Sequence, residues 1–355
     1  GMDFETEDRA ATFTVVDRSV VFADVRRRFD DRIELLPIAE AVDHDPRAAA
    51  VAWSVLDPNH DEAVAEAHRA PTGGFYVRVP PGRHITMPIQ ACLLLSTSGS
   101  RQVLHNVIIV EEEAELSMIT GCAAPAGVRH GTHIGVTEIV LGPGATFTDT
   151  MIHRWSPDGE VLPRSALVAG RDATHLGNYV LLEPPRHLQS ESVVHLDGDR
   201  SRTETRSIVH GTGSANIDLS TEVHLKAAGT SADSVARAIA RDRSDIALRA
   251  ELVGHHDRTK GRLDCRGLLQ SPDACITAVP ELRADHAPRS QLAHEASIGP
   301  ISEEAIEYLM TRGVERQEAT AAITRGFLKA GLPRLPPLLE RRIRELTMTV
   351  ATGSL

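Results

Sequence analysis

The sequence has few aromatic residues, no long apolar run and few cysteines, and each shortage excludes a class of protein. Aromatic residues make up 3% of the 355 residues, so the core must be built mainly from Val, Ile, Leu and Ala. Such a core suits thin, regularly stacked layers. No apolar run approaches the roughly 18 residues of a membrane-spanning helix. We therefore expect no membrane association.

Basic residues are also in the minority, with 38 Lys and Arg against 49 Asp and Glu and a net charge of −11. Nucleic-acid binding needs a basic surface that neutralises phosphates, so we expect no nucleic-acid partner. Four cysteines, at positions 92, 122, 265 and 275, do not indicate a disulfide framework in a chain of this size. The N-terminal residues are acidic and lack the apolar segment of a secretory signal. These features predict a cytoplasmic protein with reduced thiols.

A short pattern recurs through the middle of the chain: a turn residue, a small residue, any residue, and then usually an apolar or β-branched residue. Its small residues are Ala114, Ala145, Ala173, Ser201, Ala232, Gly261 and Ser290, and the interval between them is nearly constant. Strand-like segments of period two follow these turns. A nearly constant interval predicts a β-solenoid with two strands per coil of roughly 30 residues. The alternative is an ordinary sandwich, which is not expected to keep its interval so nearly constant.

Both ends of the chain differ from this repeat. We expect a partly helical α/β region over residues 1–72, a parallel β-helix over 73–300 and a helical region over 301–355. Ser302 is a suitable N-cap for a first C-terminal helix, because acidic residues follow it. A second helix is predicted over 317–329 and a third over 338–348.

The C-terminal helices carry an apolar stripe that includes Ile306, Leu309, Met310, Ile323 and Phe327. Two interpretations remain open. The stripe covers the open end of the solenoid, or part of it binds a partner protein.

Common catalytic motifs are missing: the sequence contains no phosphate-binding P-loop, no HExxH, no GxSxG and no CxxC. Cys265 and His294 are instead separated by the same interval as Gly261 and Ser290, which is one coil. We therefore expect His294 to stack directly on Cys265, with Glu295 on the opposite face of a regular strand. A thiolate, an imidazole and a carboxylate are ligands for a soft metal or an iron–sulfur unit. The alternative is that all three merely face solvent.

Several long segments resemble the SufB/SufD family of iron–sulfur cluster assembly scaffolds. They include "RLDCRGLL", "AVPELRA", "LAHEASIGPISEEAIEYLMTRG", "ATAAITRGFL" and "HNVIIVEEEAELSMITGCAAP". The resemblance covers roughly residues 17–332, and the segments occur in the family's order. It implies a mainly β fold, a right-handed parallel β-helix with helical ends.

The resemblance implies a scaffold rather than an enzyme. Family members bind an ABC-type ATPase, SufC, through the C-terminal helices, and pair with each other through the late strands. We therefore expect a homodimer or a pair with a SufB/SufD paralogue. Cys265, with His294 and Glu295, matches the segments that hold a transient iron–sulfur cluster. Cys122 matches a cysteine proposed to accept persulfide sulfur, supplied by a cysteine desulfurase system. Ala293 stands where SufB-type chains have a Glu.

The leading hypothesis is thus a scaffold that holds or transfers a nascent cluster with a SufC-like ATPase. A carbohydrate-active β-helix enzyme, such as a lyase, is a second hypothesis. Two Trp and three Tyr offer little for sugar stacking, and the negative charge would repel acidic polysaccharides. A third is a degenerate family member that only binds the ATPase.

Overall fold

The computed structural model describes residues 9–125 and 127–328. This part of the chain is mainly β and forms a parallel β-solenoid of about eight turns, with helices near the C-terminus. Its strands, numbered in chain order, form two sheets. Sheet A contains β1 (Ala11–Val16), β2 (Ser19–Val25), β5 (Ile89–Leu94), β7 (Glu115–Ala123), β9 (Thr146–Arg154), β11 (Thr174–Glu183), β13 (Arg202–Gly211), β15 (Ser231–Ala240), β17 (Lys260–Leu269) and β19 (Gln291–Pro300). Sheet B contains β3 (Glu34–Pro37), β4 (Phe75–Val79), β6 (Arg101–Val110), β8 (Thr132–Leu141), β10 (Glu160–Ala169), β12 (His187–Leu196), β14 (Asn216–Leu225), β16 (Asp245–Gly254) and β18 (Cys275–Ala284).

Strand β16 illustrates why these segments form a solenoid. Ile246, Leu248 and Leu252 point inward and are buried, whereas Asp245 and Arg249 are exposed. Successive side chains of a strand point to opposite faces, so this alternation lets each coil bury one face against the opposite sheet. The inward side chains of the two sheets meet in one core that follows the solenoid. The predicted solenoid is confirmed.

The coils are not equal in length, and this corrects the register that the repeat predicts. Cys265 pairs with Ala296, two positions beyond His294 on the same strand. Loops of five residues (270–274) and six residues (285–290) flank β18, whereas the preceding coil has loops of four (241–244) and five (255–259). Each loop of the last coil is therefore one residue longer, which displaces β19 by two positions.

The N-terminal region contributes both strands and helices. Strand β1 lies in parallel beside β5, so it extends sheet A. Helices α1 (Ile38–His44), α2 (Pro46–Val51) and α3 (Glu62–Arg69) follow β3. The segment between α2 and α3 is fixed by Glu138 of β8, which is fully buried. The Glu138 carboxylate accepts hydrogen bonds from the backbone N–H groups of Trp53 (2.5 Å), Val55 (2.8 Å) and Leu56 (3.1 Å), and lies 2.7 Å from Nε2 of His105.

Replacing Glu138 by Ala is expected to lower the free energy of unfolding by about 3 kcal/mol or more, because three backbone N–H groups and His105 lose a buried acceptor. Burial alone would raise the pKa of Glu138, but hydrogen bonds from His105 and the backbone hold the pKa below its usual value. The stabilisation by the ionised Glu138 is fully present above the pKa that this residue has in the unfolded chain. It is lost as the pH falls through the pKa of Glu138 in the folded protein. Denaturant titrations at neutral and acid pH should therefore show a smaller difference in acid. The exposed Glu112 provides a control: Glu112→Ala should change neither value, and equal stabilities of Glu138→Ala and parent would contradict the assignment.

The C-terminal helices begin and end where the sequence indicates. Helix α4 (Glu303–Thr311) starts after Ser302, whose Oγ accepts a hydrogen bond from the N–H of Ala305 at 3.3 Å. Gly313 follows it with φ 86°, a left-handed conformation that favours glycine. Helix α5 (Arg316–Leu328) matches the second predicted helix. The third, predicted over 338–348, lies outside the described residues.

Helix α5 packs against the outer face of sheet A. Phe327 and Leu328 join an apolar cluster with Val180, Ile239 and Leu268, which belong to β11, β15 and β17. Helix α5 therefore lies beside sheet A, and within the described residues β18 and β19 are largely exposed. None of the helices in residues 9–125 and 127–328 is long and apolar enough to cross a membrane.

Candidate functional site

Cys265 lies on the inner face of β17, one strand from the end of sheet A. Its neighbours in register are Ala236 on β15 and Ala296 on β19. The residue is 3% exposed and belongs to the apolar core together with Leu263 and Ile276. The alternative that Cys265 faces solvent is therefore wrong for the single chain, because β19 covers the thiol.

His294 does not stack directly on Cys265, in contrast to the prediction. It pairs with Leu263, two positions before Cys265 on β17. Residues two apart on a strand share a face, so His294 and Cys265 are diagonal neighbours on the inner face, with roughly 8 Å between their Cα atoms. His294 is exposed because it lies in the last coil. The imidazole and the thiol thus share one end of the solenoid without forming a close pair.

Glu295 lies on the outer face of the same strand, as a regular strand predicts. It is in register with Asp264, and its carboxylate is 3.2 Å from the guanidinium of Arg266. Arg266 and Arg237 also contact Asp264, at 2.9 and 2.8 Å. Glu295 therefore belongs to an ion-pair network on the outside of sheet A, on the opposite side of the strand from Cys265.

The Cys265 thiol is protonated at neutral pH in this arrangement. Burial raises its pKa, the Asp264 carboxylate raises it further, and Arg237 opposes both effects. A thiolate, rather than a thiol, binds metal. A metal could therefore bind Cys265 only if β19 moved or if the metal itself displaced the proton.

Within the described parts of the chain, no three His, Cys, Asp or Glu side chains are grouped so that they could hold a metal ion. The open end nevertheless carries one thiol that sequence reasoning did not single out. Cys275 begins the edge strand β18 and is exposed, whereas Cys92, Cys122 and Cys265 are buried. The repeat places Cys275 at the start of the last strand of sheet B, so the sequence could have indicated that this thiol lies at the open end.

Cys122 faces a second environment, a cavity of about 160 Å³ between the two sheets. His133, Asp149 and His153 line this cavity with it. Cys122 of β7 is in register with His153 of β9. Nδ1 of His153 lies 3.1 Å from the hydroxyl of Tyr179, and its buried Nε2 makes no hydrogen bond.

Burial sets the protonation of these groups. It raises the pKa of the Cys122 thiol, and it lowers the pKa of His153 to about 3 and that of His133 to about 4. The cavity therefore holds a neutral thiol beside neutral imidazoles. Sequence reasoning missed His153, although it lies one coil after Cys122, and the same spacing argument would have found it.

The cavity does not extend to Cys265. Its lining residues come from strands β4 to β14, whereas Cys265 is on β17. Between them the interior is filled by small and apolar residues, including Ala236, Leu248 and Leu263. The two cysteines are five strands apart in sheet A, about 24 Å at the usual strand spacing.

Comparison with known proteins decides which family this fold and these cysteines represent. The family model for the SUF system FeS cluster assembly SufBD core domain matches residues 93–327. The chain belongs to the SufBD family. An iron–sulfur cluster assembly SufBD family protein of Methanothermobacter thermautotrophicus is 36% identical over 351 residues, which cover 98% of this chain and 84% of the relative.

Two further relatives support the assignment. A SufBD family protein of Archaeoglobus fulgidus is 33% identical over 97% of this chain and 91% of its own length. The iron–sulfur cluster assembly protein SufB of Bacillus subtilis is 26% identical over 80% of this chain and 61% of its own length. These names describe cluster assembly and not a catalysed reaction, in agreement with the prediction of a non-enzymatic scaffold. The chain is thus a SufBD family protein of iron–sulfur cluster assembly.

The structure places the predicted partner-binding residues of this SufBD protein in different environments. Ile306 is buried, Leu309 and Ile323 are half-buried, and Phe327 packs with the cluster on sheet A. Met310 is 43% exposed, and the neighbouring Tyr308, which sequence reasoning did not name, is 60% exposed. Only Met310 and Tyr308 therefore offer a large apolar surface on α4.

Proposed function

We propose that this SufBD protein is a cytoplasmic scaffold that holds and transfers a nascent iron–sulfur cluster together with a SufC-like ABC ATPase. The observation that carries the proposal is the position of Cys265, one strand beneath an end of the solenoid that residues 9–125 and 127–328 leave uncovered. A cysteine at that position can pass from a buried thiol to an exposed ligand by displacement of β19 alone. Family membership favours this function over a carbohydrate-active enzyme.

The cluster ligands come from two chains in this proposal. One chain offers Cys265, His294 and at most Glu295, whereas a cluster usually has four ligands. Leu282 of β18 and Ile298 of β19 are 36% and 40% exposed, although both occupy inner-face positions that a further coil would cover. A second copy, or a SufB/SufD paralogue, is the partner that we propose for this end, with a cysteine desulfurase system as the sulfur source.

The ATPase acts on β19 through the helices that follow it. Helix α4 begins at Glu303, three residues after β19 ends at Pro300. A force on α4 is therefore transmitted to the strand that covers Cys265. Binding of a SufC-like ATPase to α4 would couple its nucleotide cycle to exposure of the thiol.

Replacing both Tyr308 and Met310 by Asp is expected to abolish co-purification with the co-expressed ATPase, because two exposed apolar side chains of α4 are removed from the contact. Point substitutions are preferable to deletion of the helices, since deletion would uncover the apolar cluster on sheet A. Val42 of α1, which is 37% exposed, provides a matched control. Retention of the ATPase by the double variant, or its loss in Val42→Asp, would place the contact elsewhere.

We expect Cys122 to accept sulfur from a persulfide donor: its sulfur bonds to the outer sulfur of the donor, the donor S–S bond breaks, and the donor leaves as a thiol that takes the Cys122 proton. Burial raises the pKa of the Cys122 thiol and lowers that of His153, so the thiol must reach solvent or the donor before it reacts. Mass spectrometry of the alkylated protein should find the added sulfur on Cys122. Cys92 is a suitable control, because burial raises the pKa of its thiol to about 11 and it is not among the cavity-lining residues. Labelling of Cys92 or Cys275 with Cys122 unmodified would contradict this role.

Anaerobic reconstitution with ferrous iron and sulfide separates a working scaffold from a family member that only binds its ATPase. A working scaffold should bind iron and sulfide and develop visible absorbance. A protein that co-purifies with the ATPase but remains colourless would be the degenerate member.

A further inference from the structure

Three imidazoles follow one another on the outer face of sheet B. His195 and His224 are in register on β12 and β14, and His255 follows directly after β16. The ring centroids of His195 and His224 are 4.9 Å apart, and those of His224 and His255 are 5.4 Å apart. All three rings are half-buried. This row lies on the other sheet from Cys265 and on the outside of the solenoid, so it is separate from the proposed cluster site.

The nitrogens of His224 and His255 face each other between two carboxylates. Nδ1 of His224 is 3.1 Å from Nε2 of His255. On the far side of each ring, Nε2 of His224 is 2.6 Å from Oε1 of Glu222, and Nδ1 of His255 is 3.6 Å from Oδ2 of Asp285. The order in space is therefore carboxylate, imidazole, imidazole, carboxylate.

The number of N–H protons on the two imidazoles limits how their facing nitrogens can interact. A neutral imidazole carries one N–H, which donates a hydrogen bond to a neighbouring carboxylate. Its other nitrogen then has no proton and presents a lone pair. Glu222 holds the proton of His224, so Nδ1 of His224 presents a lone pair. The proton of His255 lies either on Nε2, where it is donated to that lone pair, or on Nδ1, which is 3.6 Å from Asp285. The second tautomer leaves two lone pairs facing each other at 3.1 Å, an arrangement that a cation between them would stabilise.

We propose that His224 and His255 bind a divalent transition metal ion of the class that prefers imidazole, such as Zn²⁺. Two nitrogens that share such an ion at the usual metal–nitrogen distance are roughly 2.9 to 3.4 Å apart for bond angles between square and tetrahedral. The observed separation of 3.1 Å lies within this range. Binding requires the two rings to tilt so that their lone pairs converge, which half-buried side chains at the ends of strands allow.

In this proposal Glu222 and Asp285 do not bind the metal but orient the histidines that do. A ligating His usually donates its other N–H to a carboxylate, which orients the ring and raises its basicity. Glu222 and Asp285 are placed for this role. In the present conformation only the nitrogens of His224 and His255 meet, which agrees with the absence of any group of three metal-binding side chains among the described residues. His195, whose buried Nδ1 makes no hydrogen bond, would have to rotate its ring to become a third ligand, and water would complete the coordination. Lys226 and Arg283, the nearby cations, are within ion-pair distance of Asp197 (3.0 Å) and Glu251 (3.8 Å).

Isothermal titration of metal-free full-length protein with Zn²⁺ tests the site. The exposed thiol of Cys275 is a competing ligand, so the parent for this series carries Cys275→Ser. We expect one equivalent of Zn²⁺ to bind. His224→Gln and His255→Gln should each weaken binding at least tenfold, and Glu222→Gln about tenfold, as for loss of an outer partner.

The matched control is His84→Gln. Nδ1 of His84 lies 3.3 Å from a carboxylate oxygen of Glu115, so it reproduces one histidine–carboxylate pair without the second imidazole, and its removal should leave Zn²⁺ binding unchanged. Circular dichroism and thermal unfolding should show that every variant is folded. Absence of stoichiometric binding, or equal affinity of His224→Gln, His255→Gln and parent, would overturn the proposal. So would imidazole NMR signals that show a shared proton between the two rings and do not respond to Zn²⁺.

Discussion

The variant Cys265→Ala is expected to lose the visible absorbance and most of the iron that the parent acquires on anaerobic reconstitution. The physical reason is that Cys265 is the thiol of sheet A nearest to the C-terminal end of the solenoid, where displacement of β19 exposes it. Ala is a suitable replacement, because Ala236 and Ala296 already flank the site and the inner face stays apolar. Absorbance spectra with iron and sulfide analysis under anaerobic conditions measure the effect.

Cys275→Ser is the matched control for this experiment. Cys275 is the exposed thiol of the same end of the solenoid, on the edge strand of sheet B. If Cys275→Ser loses the cluster and Cys265→Ala keeps it, the cluster is held by the edge of sheet B and the role proposed for Cys265 is wrong. Cys265→Ser is a poorer test, because a buried hydroxyl without a partner costs about 1–3 kcal/mol and confuses folding with binding.

The burial of Cys265 was predictable, but flanking charges concealed it. In the segment "LDCRGLL", Leu263 and Cys265 alternate with Asp264 and Arg266. Alternation of period two places the first pair on one face and the charged pair on the other. The structure has the charged pair in an ion-pair network outside and the thiol in the core. A cysteine between two charges is therefore an inward residue when the surrounding segment is a strand.

The solenoid itself follows from the repeat, because the hydrogen-bonding ladder between coils tolerates only small changes of coil length. The alignment of individual residues does not follow, because each corner loop can gain or lose a residue without disturbing the strands. One extra residue in each of the two last loops, 270–274 and 285–290, was enough to move His294 from Cys265 to Leu263. Histidine pairs that depend on such offsets, such as His224 with His255, become visible only in the folded chain.

The second large effect concerns assembly of two chains at this end. We expect the parent to be a dimer at tens of micromolar protein, and Ile298→Asp to raise the dissociation constant by roughly 30-fold or more, as for a central apolar contact of an interface. Ile298 is an inner-face residue of β19 that is 40% exposed in the single chain. A charge there remains hydrated in the monomer but would be desolvated against a partner. Light scattering across a dilution series measures the change.

Val21→Asp is the control at the opposite end of the molecule. Val21 lies on β2, the other edge of sheet A, and is 56% exposed, so an unspecific effect of a charge on an edge strand would appear there too. Dimers of Ile298→Asp as stable as the parent, or a monomeric parent, would contradict pairing through β18 and β19. If pairing also supplies the second set of ligands, Ile298→Asp must lose the reconstituted cluster as Cys265→Ala does, while its α4 surface still binds the ATPase. That combination separates a shared cluster site from a cluster bound by one chain, because a site within one chain would survive dissociation.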